Sequence, residues 1–430
     1  MKRLAAAASL VLAVTLAAGG SVADLTHEEL AALRARGAAE GWTFSVGNNG
    51  ATDRPLDALC GLIVPDDWRE GARFTTFDEK YELPAAFDWR DYGGCTPIRD
   101  QGGCGSCWAF STVGALECNI RIVHGDTVDL AEQWLVSCNQ ETEPPIVLED
   151  GEWGCNGGWF AHDYHSGVKT DACGGSGAAL ETDFLYMHDD LPCECPYHHH
   201  YFIDGWAYVG PEFGLPEVNA IKQAIVTYGP VSAAVYVDLA FHQYTDGVFN
   251  LSQNETVNHA IVLVGWDDRL GAWILRNSWG DGWGMGGYMY IEYGCSNVGF
   301  GASYVDYAGL AQTAGPAITA EPQGGSVAEG WTYHFRVAAE GMGELHYEWM
   351  RDDEPLDAPD APDLYIENAK AVDAGVYTCA VSDARGETVT AGAELELEGS
   401  APAVRPPMLA VLALACAVAG RLTIRRMDPT

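Results

Sequence analysis

Arg99-Asp100-Gln101-Gly102-Gly103-Cys104-Gly105-Ser106-Cys107-Trp108-Ala109-Phe110-Ser111 is the stretch on which the reading of this chain turns. Two cysteines stand three apart behind a glycine-rich turn, and an apolar helical pattern starts at Trp108. Trp108, Phe110, Val113, Leu116 and Ile120 predict one long helix buried over much of its surface. A thiol in the first turn of such a helix meets free N–H groups and the positive end of the helix dipole. Both favour the thiolate, the nucleophilic form. The same residues also fit a structural disulfide pair or a Cys-x-x-Cys redox or metal motif, and the stretch alone leaves these open.

Composition narrows the setting. Of 430 residues, 23 are Lys or Arg and 61 are Asp or Glu, a formal charge of −38. Such a surface repels nucleic acid and anionic membrane, so neither is expected as a partner. Hydrophobic residues make up 48% of the chain, enough for a sizeable core. Thirteen cysteines fit an oxidising compartment. Residues 1–23 read as an export signal: Lys2 and Arg3, the apolar run Leu4 to Ala18, then the small-residue site Ser21-Val22-Ala23. The expected location is extracellular or at the cell surface.

Further along, Leu25 to Gly41 has helical periodicity with Asp24 or Thr26 as a cap, and residues 42–61 show no regular pattern. Residues 24–82, between an export signal and a compact domain, are expected to be a removable prosegment. The main domain is expected over 83–307. Its first half reads helical, with a second short helix at 129–136. Its second half reads as strands at 231–237, 260–264, 272–275 and 288–291. Helices first and strands afterwards suggest an α+β fold of two lobes with a cleft between them.

After a linker at 308–316, residues 317–398 change texture. Tyr333, Phe335 and Val337 alternate, Tyr347 and Trp349 sit on a second strand, and Asp373-Ala-Gly-Val-Tyr377-Thr-Cys379 follows. A tyrosine two residues before a strand cysteine fits the tyrosine corner of an immunoglobulin-like sandwich, with Trp349 as its core tryptophan. No earlier strand offers a cysteine, so Cys379 is expected as a buried free thiol. In residues 399–430 an apolar run, Met408 to Gly420, lies between prolines and Arg421, Arg425 and Arg426. This resembles a bacterial sorting tail; a short membrane anchor is the alternative.

A thiol nucleophile needs a base within reach and a group to hold that base. Asn258-His259-Ala260 directly precedes an apolar strand, and Asn277-Ser278-Trp279-Gly280 follows another. Together with Gln101 to Phe110 and Gly154-Cys155-Asn156-Gly157-Gly158, these motifs stand in the order found in the papain family of cysteine peptidases, which residues 83–307 resemble. The resemblance implies a helical lobe and a β-barrel-like lobe, and a cysteine endopeptidase acting through an acyl-enzyme. Cys107 is then the nucleophile and His259 its base and later acid, as a thiolate–imidazolium pair. Asn277 orients His259, and Gln101 with the Cys107 N–H holds the oxyanion.

The resemblance further implies that Gly157 and Gly158 bind the substrate backbone. Trp159, Phe160, Ala234, Val257 and Ala260 would surround an apolar pocket for the second residue before the cut, and Trp279 would cover the His259–Asn277 pair. Cys104 is expected to pair with Cys155, Cys138 with Cys193 and Cys95 with Cys118; Cys295 lacks the family's partner. Trp42, Gly47-Asn48 and Leu59-Cys60-Gly61 resemble the short prosegment of cathepsin B-like enzymes, which would block the cleft until cut away. No metal or organic cofactor is needed, and His198-His199-His200 is read as an exposed loop. Protein or peptide substrates and the chain's own prosegment are the expected partners of a monomer.

Overall fold

In a computed structural model the described residues are 24–77, 83–140, 153–253, 255–307, 315–341, 345–383 and 387–398. The expected export signal, residues 308–314 of the expected linker, and the tail lie outside them.

The first helix, His27–Glu40, starts on a capping box. Thr26 Oγ1 accepts from the Glu29 N–H at 3.3 Å and the Glu29 carboxylate accepts from the Thr26 N–H at 2.9 Å. Gly41, at φ +76°, ends the helix. Residues 42–61, irregular by pattern, hold a three-residue strand, Phe44–Val46, and a four-residue helix, Leu56–Leu59. Neither is long enough to show a period.

The helix Cys107–His124 is buried from Cys107 to Ile120. A second helix, Glu132–Cys138, packs against it. The strands form one ten-stranded sheet. Its central run passes from Tyr244–Phe249 through Tyr288–Glu292, Ala272–Arg276, His259–Asp267, Val231–Val235 and Phe300–Asp306 to Gly205–Val209. Phe44–Val46 adds to one end of this run and Phe74–Thr75 to the other, and the tenth strand, Ala86–Asp88, pairs with His259–Asp267 off the run. The sheet therefore has two ends and is not a closed barrel, which corrects the barrel-like lobe expected above. Both terminal strands come from residues N-terminal to the main domain and stop the pairing at each edge.

Two apolar clusters fill this part of the molecule. One combines Trp266, Trp273, Trp279 and Trp283 with the helix Val218–Tyr228. The other combines Trp108, Val113, Leu116 and Trp134 with Trp159 and Phe160, and it takes Ala234 and Ala260 from the strands. The cleft lies where the strand ends meet the second cluster.

Residues 315–398 form a separate β-sandwich. Its larger sheet pairs His346–Arg351 with Gly375–Ser382, setting Trp349 opposite Cys379. Tyr377 donates its hydroxyl to the Asp373 carbonyl at 2.7 Å, closing the tyrosine corner. Cys379 is a buried free thiol. Phe335, from the strand Tyr333–Arg336, stacks on Tyr377 at 4.5 Å and fills the core instead of a second sulfur.

Candidate active site

Cys107 is the first residue of its helix and is fully buried. The turn before it is fixed from several sides. The Cys104–Cys155 disulfide ties it to the glycine loop, and the Gly105 N–H donates to the Cys155 carbonyl at 2.8 Å. The Tyr186 hydroxyl donates to the Gln101 carbonyl at 2.8 Å and bonds Ser106 Oγ at 2.5 Å.

His259 opens a strand whose register sets it opposite Val235, and Asn277 follows the adjacent antiparallel strand. The pairing of these strands brings the two side chains together: His259 Nε2 and Asn277 Oδ1 are 2.8 Å apart. The Trp279 ring lies 4.8 Å from the imidazole and is itself fully buried. Water is excluded from this hydrogen bond.

Ser278 links both sides of the cleft. Its N–H donates to Asn277 Oδ1 at 2.8 Å, and its hydroxyl donates to Gln101 Oε1 at 2.7 Å. The Gln101 N–H donates to the Ser278 carbonyl at 2.8 Å. Gln101 thus has its amide oxygen held from behind and its Nε2 directed forward, where it donates to the Leu59 carbonyl at 3.0 Å and to the Cys104 carbonyl at 2.9 Å. Ser278 lies inside a motif quoted above, but a serine after an asparagine carries no sequence signal for this double role.

The cleft is occupied by the chain's own residues 59–63. The Gly158 N–H donates to the Gly61 carbonyl at 2.9 Å, the Ile63 N–H to the Gly158 carbonyl at 2.9 Å, and the Leu62 N–H to the Asn258 carbonyl at 3.0 Å. Leu62 runs parallel to Gly158 and is buried in the same cluster as Trp159, Phe160, Ala234, Val257 and Ala260. The two glycines serve different neighbours. A Cβ on Gly157 (φ +132°) would strike Ile63 and the Gly61 carbonyl, whereas one on Gly158 would strike the Trp108 indole. Gly301 lies against Trp159 and Phe160, a position that sequence reading missed because glycine offers no side chain to recognise. Behind Leu62, Trp68 packs on Trp159, Tyr208 and Phe300.

Burial acts on both members of the pair. Burial pushes the Cys107 thiol up to about 11, although the Ala260 and Gly61 N–H groups draw it down. Burial also pushes His259 down to about 4, against the Asn277 hydrogen bond. Both shifts favour the uncharged forms, a thiol and an imidazole.

Disulfides join Cys104 to Cys155, Cys138 to Cys193 and Cys173 to Cys195. No bond joins Cys95 and Cys118, which corrects that expectation. They are two thiols in hydrogen-bond contact, where the bond from Cys95 and the adjacent Arg276 guanidinium (Nη1–Sγ 3.4 Å) favour the charged form of Cys118. Cys295 is free. His198 and His200 are exposed, whereas His199 is partly buried, with its ring 4.9 Å from Trp134.

Residues 83–307 match the family described as papain family cysteine protease, more than half of the 430-residue chain. The chain belongs to the papain family of cysteine proteases. Its peptidase domain is followed by residues 316–397, which match the immunoglobulin I-set domain. Cathepsin S of Bos taurus is 31% identical over 60% of this chain and 74% of that protein. Germination-specific cysteine protease 1 of Arabidopsis thaliana is 36% identical over 58% of this chain and 65% of its own length. Among solved structures, digestive procathepsin L2 from Tenebrio molitor superposes with a TM-score of 0.55 at 29% identity. That match covers 65% of this chain and 89% of the other.

Proposed function

We propose that the chain is the precursor of an exported cysteine endopeptidase whose residues 24–82 hold it inactive until removed. Cys107 attacks the peptide carbonyl and His259 carries its proton, first as base and then as acid to the leaving amine. Water then hydrolyses the acyl-enzyme. Asn277 keeps the imidazole facing Cys107, and Gln101 Nε2 with the Cys107 N–H binds the oxyanion.

The observation that carries this reading is the ladder of residues 59–63 on Gln101, Gly158 and Asn258. A peptide already lies in the cleft, with one carbonyl on the proposed oxyanion donor. It runs parallel to Gly158, and the Gly61 N–H reaches the Cys107 thiol, whose pKa it lowers. Departure of residues 24–82 rehydrates the pair. The helix N-terminus then favours the thiolate, and activity follows at mildly acidic to neutral pH. Leu62 marks the pocket for the second residue before the cut, so an apolar side chain is favoured there.

The prosegment is of the short, cathepsin B-like type. We read residues 1–23 as an export signal and 399–430 as a tail that would keep the monomeric enzyme at the cell surface, with the immunoglobulin-like module as a spacer or a weak adhesion module.

An epoxide-type thiol-peptidase probe tests the reading. It should label processed wild-type protein and leave both the precursor and Cys107→Ala unlabelled. Labelling that persists in Cys107→Ala, or none after processing, overturns it. A peptide library preferring charge at the second position would exclude the Leu62 pocket as the specificity site.

A further inference from the structure

We propose that Cys60 and Cys107 form a reversible disulfide that locks the precursor, made by exchange with a small-molecule disulfide and opened by a reducing thiol. The proposal rests on the reading of residues 24–82 as a prosegment lying over a thiol site.

Cys60 is the sole cysteine of residues 24–82, and its thiol lies near enough to Cys107 for the two charges to repel. The residue before it is anchored by the Leu59 carbonyl on Gln101 Nε2 at 3.0 Å. The residue after it is anchored by the Gly61 carbonyl on the Gly158 N–H at 2.9 Å. Gly61 packs so closely on Gly105, two residues before Cys107, that a Cβ there would overlap the Gly105 carbonyl. The Gly61 N–H also reaches the Cys107 thiol. Cys60 is one residue, about 3.8 Å of chain, from each anchor, and a disulfide spans about 4.4–6.8 Å between Cα atoms. The neighbouring cysteines of the turn and the glycine loop, Cys104 and Cys155, are already paired, whereas Cys60 and Cys107 are both free. Cys60 is only partly buried and Cys107 fully so, so a reagent from solvent meets Cys60 first.

The chemistry balances as two exchanges. Burial and the nearby Cys107 hold the pKa of the Cys60 thiol well up; its small ionised fraction attacks oxidised glutathione, forming a mixed disulfide and releasing one glutathione thiolate. Cys107 then attacks the Cys60 sulfur, and its proton leaves with the second glutathione, which departs as the thiol. Two protein thiols and one small disulfide become one protein disulfide and two thiols. A locked chain cannot mature, because its nucleophile is consumed and its prosegment is tethered to the cleft.

The test uses the full-length precursor, wild type and Cys60→Ser, incubated with oxidised glutathione and mapped without reduction. The expected result is a cross-linked peptide pair containing Cys60 and Cys107, and maturation only after dithiothreitol. Cys60→Ser should mature without reductant and reach wild-type mature activity. The proposal is overturned by glutathione on Cys60 with no cross-link. It is equally overturned if the Cys60–Cys107 pair is missing from a digest in which Cys104–Cys155 is found, or if Cys60→Ser needs reductant as wild type does. A reduced precursor that the epoxide probe labels before processing would instead break the prosegment reading, which separates the two failures.

Discussion

The helical lobe and the immunoglobulin-like module solve one problem in opposite ways. From 153 to 204 the described residues hold a single short helix, His162–Ser166. All three disulfides place at least one end in that segment, at Cys155, Cys173, Cys193 and Cys195. In the module, long strand pairs such as His346–Arg351 on Gly375–Ser382 hold the backbone, and the cysteine on them is unpaired. Disulfides occur where ladder hydrogen bonds are sparse and packing suffices where they are dense. The loop that lines the cleft falls on the sparse side, so the candidate site depends on covalent bonds that the module does without.

The largest effect that breaks this contrast is in the module. Trp349→Ala empties the centre of its core and should cost about 3–5 kcal/mol, read as loss of the module's own thermal transition. Cys379→Ser leaves one buried hydroxyl and should cost less; if the two variants match, sulfur matters there after all. Cys104→Ser makes the complementary cut. Losing a bridge between residues 51 apart should lower peptidase-domain stability by about 2–5 kcal/mol. It should also raise KM, because Gly157 and Gly158 are no longer fixed beside Cys107. Dithiothreitol should lower the peptidase transition and leave the module's in place.

A smaller effect comes from buried titratable groups. Burial pushes His162 and His165 down to about 3 from 6.5, so the folded state binds fewer protons than the unfolded chain in that window. Their contribution is whole above 6.5 and fades as pH falls. Burial pushes Glu117 up to about 7 from 4.5, so the folded state binds more protons between those values, and that contribution fades as pH rises. Melting temperature of the peptidase domain should therefore fall on both sides of a mildly acidic optimum. Glu117→Gln should make the neutral side shallower, leaving the part that comes from Glu132 and Glu181, which burial also pushes up. An unchanged neutral slope would mean that the Arg99 guanidinium, 3.6 Å from the carboxylate, already keeps Glu117 charged.

How much of this was legible depended on whether a feature carried its own pattern. The helix from Cys107 did, because its apolar period and the cysteine turn are local. His259 and Asn277 were legible as residues at strand ends, and strand register joined them. The leader strands were not. Phe44 pairs with Gly247, some two hundred residues away, and a three-residue strand has no period to read. Cys95 and Cys118 stand together as the resemblance implies, but without a bond, since sequence does not show the Arg276 guanidinium beside Cys118. Gly301 and Ser278 were silent because one has no side chain and the other has a common one.

Ser278 offers the finest test, since its two hydrogen bonds come from different atoms. Ser278→Ala removes the hydroxyl that holds Gln101 Oε1 and keeps the N–H that holds Asn277 Oδ1. The expected loss is about 1 kcal/mol, roughly five- to tenfold in kcat, with KM and melting temperature little changed. Gln101→Ala should cost more, about 10²–10³ in kcat, as removal of an oxyanion donor does. If the hydroxyl acts only by aiming Gln101, Ser278→Ala should cost nothing further in a Gln101→Ala background. Additive losses would mean that the hydroxyl acts on the strand side, through Asn277 and His259, and the pH profile of kcat would then shift in the single variant.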